Sequence, residues 1–68
     1  MIALLTGLLR ALDNQTVIID VGGVGYEALV TSRTAATLGP IGTPVTLHII
    51  THVREDAISL FGFATRED

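Results

Sequence analysis

From Val45 to Val53 the chain keeps a period of two: Val45, Leu47, Ile49, Thr51 and Val53 alternate with Thr46, His48, Ile50 and His52. A helix would scatter these two sets around its circumference, whereas a strand gives each set its own face. The segment is therefore a strand. It is followed by Arg54-Glu55-Asp56-Ala57 and by a second strand-like run, Ile58 to Phe63. Strand, short polar break and strand is the pattern of a β-hairpin. Glu55 and Asp56 are expected in solvent at its tip, with Arg54 beside them. Two carboxylates on a stiff two-stranded arm suit a role that repels or steers by charge. An ordinary solvated turn has the same composition, so the pattern alone does not separate the two.

The preceding residues read as three more strands and one helix. Ile2 to Leu12 is apolar on both faces, with Ile2, Leu4 and Leu8 on one and Leu5 and Leu9 on the other. Gly7 inside this run marks a bulge or sharp bend. Asp13-Asn14-Gln15 is a turn, Thr16 to Val21 is β-branched, and Gly22-Gly23 signals a hairpin into Val24 to Val30. Thr31 to Pro40 reads as one short helix, with a hydroxyl cap at its start, alanines in its middle and Gly39-Pro40 at its end. The order β-β-β-α-β-β, with a glycine that lets the first strand curl, predicts an all-β fold. It is a five-stranded OB-type Greek-key barrel with a helix between strands 3 and 4. An SH3-like barrel is the rival, with less reason to place a helix there. The barrel is expected over residues 1–63. Thr65-Arg66-Glu67-Asp68 resembles a capping box, so residues 64–68 read as the linker or helix start of a second domain that this chain does not contain.

The charge content narrows the function classes. Only 16% of the 68 residues are charged while 49% are hydrophobic, and a domain this small cannot bury that much apolar surface within itself. One barrel face is expected to be covered by a neighbouring subunit or by another part of the same protein. The formal net charge is −3, with no lysine and four scattered arginines, Arg10, Arg33, Arg54 and Arg66. No basic stripe is present to neutralise a phosphate backbone, so this chain alone is not expected to grip nucleic acid. Cysteine is absent, which removes disulfides and thiolate metal sites and fits a reducing compartment. The apolar start is too short to span a bilayer and lacks the cationic region of a signal peptide. A soluble cytoplasmic protein without a membrane segment is the expectation.

Other motifs carry less. Gly23-Val24-Gly25-Tyr26-Glu27-Ala28 matches G-x-G-x-x-A, but a dinucleotide site needs a helix start there and an acid about 20 residues on. Strand residues follow instead, and residues 43–50 hold no acid. His48 and His52 would stand roughly 13 Å apart on a strand, too far to share a metal ion. Glu55 and Asp56 at an exposed turn have no burial to divide their acidities into an acid–base pair. No nucleophile setting and no phosphate loop is present. Catalysis, cofactors and metals are not expected. Of the three aromatic residues, Tyr26 lies beside Glu27 and Phe61 and Phe63 read as core, a poor platform for base stacking.

Three segments at matching spacing resemble the N-terminal domain of the RuvA family, Holliday-junction-binding subunits of bacterial branch-migration complexes. They are Met1-Ile2, Val21-Gly22-Gly23-Val24-Gly25-Tyr26-Glu27, and Val53-Arg54-Glu55-Asp56-Ala57 with Leu60-Phe61-Gly62-Phe63 behind it. The family usually has tyrosine where Phe61 stands. The resemblance implies an OB-type barrel that helps to build a tetramer. It also implies that Glu55 and Asp56 form an acidic pin at the centre of an open four-way DNA junction, with Arg54 close to the DNA. Phosphate gripping belongs to helix-hairpin-helix motifs of a second domain, and ATP hydrolysis to a RuvB-type motor reached through a third. The resemblance therefore implies a non-catalytic assembly and pin module in recombinational DNA repair. A stand-alone OB-type protein-interaction module is the alternative.

Overall fold

A computed structural model describes residues 1–64. The strands are β1 (Leu4–Asp13), β2 (Thr16–Val21), β3 (Val24–Val30), β4 (Pro44–Val53) and β5 (Ile58–Phe63), with α1 (Ser32–Thr37) between β3 and β4. They close into a barrel in the order β1-β2-β3-β5-β4. All pairings are antiparallel except β3 with β5, which run parallel through Leu29↔Phe61 and Val30↔Gly62. This is the expected OB-type arrangement.

Closure depends on β1 serving two neighbours. Its first half pairs with β4 from Leu4↔His48 to Leu8↔Pro44, and its second half with β2 from Leu8↔Asp20 to Asp13↔Thr16. The handover falls at Gly7 and at a bulge between Leu9 and Ala11. A Cβ at Gly7 would press into the Asp20 carbonyl oxygen and lie 2.9 Å from its carbon, so only glycine lets β1 cross this close to β2. The turns follow their local chemistry. Asn14 takes φ 58° between β1 and β2, and Gly22 and Gly23 take φ 60° and 95° between β2 and β3. These are left-handed values that Asn and Gly tolerate best.

The interior is filled by alternate residues: Leu5 and Leu9, Val17 and Ile19, Ala28 and Val30, and Val45, Leu47 and Ile49. Gly62 is the buried residue of β5, and a Cβ there would lie 3.1 Å from Leu47 Cδ1 and 3.3 Å from Val30 Cγ1. That contact fixes the phase of β5. Phe61 and Phe63 consequently point to the outer surface and are half-buried, which corrects their expected place in the core. The two-faced apolar character of β1 is real, but its second face is open: Leu4, Leu8 and Leu12 are exposed, Leu4 by 52%.

The helix is shorter than its sequence pattern. Thr31 is the N-cap, its side chain accepting from the Thr34 N–H at 3.0 Å, and Leu38 closes the other end in extended backbone. Residues 38–40 thus leave the helix before the expected stop at Gly39-Pro40, because Leu38 turns to pack on the core together with Ala35. Thr34 is fully buried with its hydroxyl satisfied by Thr31 Oγ1 at 3.1 Å. Since α1 follows Val30 and the β4–β5 turn precedes Ile58, the parallel β3–β5 contact places helix and turn at opposite ends of the barrel. At the helix end Ala35 and Leu38 pack on the core, and the other end carries the arm. The capping-box tail Thr65–Asp68 lies outside the described residues.

Candidate functional site: an acid-tipped arm

The arm arises because β4 outruns one of its neighbours. Pairing with β1 ends at Leu4↔His48, extended by the Ile49 N–H donating to the Ala3 carbonyl at 2.9 Å. Pairing with β5 continues through Thr51↔Leu60 and His52↔Ser59 to Val53↔Ile58. The Arg54 N–H then donates to the Ala57 carbonyl at 2.8 Å, closing a hairpin whose loop is Glu55-Asp56. Beyond Ile49 the inward phase of β4 no longer faces a core. Val53 and its partner Ile58 are 67% and 70% exposed despite their apolar character.

Arg54, Glu55 and Asp56 therefore stand together at the tip, all exposed. Negative φ is kept at both acids, so the turn does not use glycine-like backbone. Other described cations lie elsewhere. Arg10 holds Asp20 through Nε and an Nη nitrogen, both at 3.1 Å, and Arg33 is on α1 at the far end. The absence of a basic stripe in the sequence thus holds in space among the described residues.

Two features of the arm were not legible beforehand. Thr51 Oγ1 donates to the Ile2 carbonyl at 2.6 Å and accepts from the Ile2 N–H at 3.1 Å, tying the N-terminal residues to the root of the arm. The available signal was a polar residue at an inward-phase position between Ile49 and Val53. On the outer face His52 and Phe61 meet ring to ring, 6.4 Å between centroids at 52°, an edge-tilted geometry that favours contact. Around them Leu4, Leu29 and Ile50 leave an apolar outer surface on β1, β3 and β4, with Ile50 60% exposed.

Other candidate chemistry is not assembled. His48 and His52 sit on one strand, and among the described residues no three His, Cys, Asp or Glu side chains cluster to hold a metal ion. The G-x-G-x-x-A segment enters β3 rather than a helix. A depression of about 120 Å³ between β3 and β5 is lined by Glu27, Leu29, Ile58, Ser59 and Leu60. No helix among the described residues is long and apolar enough to cross a membrane.

A closed five-stranded barrel in this strand order, bearing a projecting hairpin with paired acids at its tip, defines a small all-β domain of OB type. In comparison with known proteins, residues 1–62 match the family described as RuvA N terminal domain. The chain belongs to the RuvA family. It is 52% identical over 65 residues to the Holliday junction branch migration complex subunit RuvA of Chelativorans sp. (strain BNC1), covering 96% of this chain and 32% of that protein. To the protein of the same name from Geotalea daltonii it is 48% identical over 68 residues, covering 100% of this chain and 34% of the relative. The chain spans about a third of the length of the curated relatives it matches.

Proposed function

We propose that this chain is the non-catalytic assembly and acidic-pin module of a Holliday-junction-binding protein. With an ATP-driven RuvB-type motor, that protein promotes branch migration in recombinational DNA repair in the cytoplasm. The observation that carries the proposal is the exposed Glu55-Asp56 pair at the tip of an arm that leaves the barrel, in a chain matching the RuvA N-terminal domain. Self-association to a tetramer is part of the proposal, supported by the exposed Leu4, Leu29 and Ile50. Four copies would gather their paired carboxylates where the four DNA arms exchange strands. Arg54, one residue before the acids, would lie close to the same DNA.

The pins act by repulsion. Two unit charges about 7 Å apart repel by about 0.6 kcal/mol in water, and by about 2 kcal/mol at the effective dielectric of about 20 typical near protein surfaces. Energies of this size bias which path a strand takes. They do not drive movement, which falls to the motor. Phosphate gripping falls to the second domain, so residues 1–68 alone bind a four-way junction weakly or not at all at physiological salt.

The test grafts this chain in place of the matching segment of the Geotalea daltonii relative and compares it with its Glu55→Gln/Asp56→Asn double variant. Affinity for a four-way junction and for duplex DNA is measured across a salt series. Neutralisation should leave junction binding intact and raise duplex binding, lowering the junction-to-duplex ratio several-fold at low salt. Lysine at both positions should trap the DNA and slow motor-driven migration. An unaltered ratio at low salt, where charges are least screened, would refute the pin mechanism.

A further inference from the structure

We infer that Thr51 is the positioning residue of the acidic arm, holding its root so that Glu55 and Asp56 keep a fixed direction. This rests on the acidic-pin role proposed above. Up to Ile49, β4 is held on both sides, by β1 and its Ala3 extension and by β5. From Thr51 outward it has backbone pairing with β5 alone. An isolated two-stranded ribbon is marginally stable and twists freely.

Thr51 supplies the missing rung. Its hydroxyl donates to the Ile2 carbonyl at 2.6 Å and accepts from the Ile2 N–H at 3.1 Å, so one side chain satisfies both backbone groups that an adjacent strand would have paired. Ile2 is itself packed against the core, which makes it a fixed anchor rather than a loose end. Glu55 lies four residues beyond, about 13 Å along an extended strand, so a swing of about 10° at Thr51 carries the carboxylates about 2 Å. That displacement is a sizeable part of the separation over which repulsion falls away. Valine has the shape of threonine but leaves both Ile2 groups unpaired. Serine keeps the hydroxyl.

Hydrogen exchange in this chain and DNA binding in the grafted protein test the role together. In Thr51→Val the Arg54 amide, which closes the arm, should exchange at least about 10-fold faster relative to the barrel amides of Leu9 and Val30, and Thr51→Ser should restore the slow rate. Equal acceleration of all three amides, or of none, would overturn the inference. In the grafted protein Thr51→Val should lower the junction-to-duplex ratio in the same direction as Glu55→Gln/Asp56→Asn, and should add nothing when combined with it. If the acid variant changes the ratio and Thr51→Val does not, Thr51 has no positioning role. If the acid variant changes nothing, the pin mechanism fails, while the exchange rates still decide whether Thr51 braces the arm.

Discussion

Replacing Gly7 with alanine should come close to unfolding this domain. The added Cβ would press into the Asp20 carbonyl oxygen, lie 2.9 Å from the carbonyl carbon and 3.0 Å from Ile19 Cγ2. The first two are backbone atoms of β2, which cannot rotate away. Relief requires β1 to withdraw from β2 where their ladder begins at Leu8↔Asp20. Overpacking of this kind costs about 1–3 kcal/mol, and one or two weakened ladder bonds add about 1 kcal/mol each. The sum is about 2–5 kcal/mol, a large share of the roughly 5 kcal/mol at the low end of the range for folded domains. For a domain of this size each kcal/mol moves Tm by about 4–8 °C, so Gly7→Ala should lower it by about 8–40 °C. Circular dichroism melts of the 68-residue chain measure this. Gly22→Ala is the control: nothing lies within 4 Å of its Cβ, and only the φ of +60° opposes it, at about 1–2 kcal/mol. A Gly7→Ala variant melting within 5 °C of the parent, or no lower than Gly22→Ala, would refute the claim that the crossing of β1 over β2 demands glycine.

Gly62→Ala meets the side chains of Leu47 and Val30 at 3.1 and 3.3 Å rather than backbone, so repacking should hold its cost to about 1–2 kcal/mol in urea unfolding. A loss as large as that of Gly7→Ala would contradict this distinction. Asp20→Ala removes the acceptor of the Gly23 N–H at 2.8 Å and of Arg10, and should cost about 1–2 kcal/mol. Arg10→Ala should cost less than about 1 kcal/mol and be salt-sensitive, because the Arg10 side chain is 61% exposed. Equal losses for the two variants would place the energy in the ion pair rather than in the turn. Thr31→Ala deletes the cap on the Thr34 N–H and should cost about 1 kcal/mol, with Thr31→Ser recovering most of the stability in the same assay.

What the sequence determined is local. The period of two over residues 45–53, the Asn14 and Gly22-Gly23 turns and the Thr31 cap each concern residues within a few positions of one another. Their preferences act before any tertiary contact forms, and so the strand boundaries after β1 and the tip position of Arg54, Glu55 and Asp56 were readable in advance. The tertiary structure decided what depends on distant partners. The outward phase of Phe61 and Phe63 follows from Gly62 meeting Leu47 and Val30 across the barrel. The early end of α1 follows from Leu38 joining the core. The arm exists because β1 runs out as a partner for β4 while β5 does not, and its root is held by a bond between Thr51 and Ile2, 49 residues apart. A periodic pattern states that a strand has two faces. Only closure of the barrel determines which face is covered and where the covering stops.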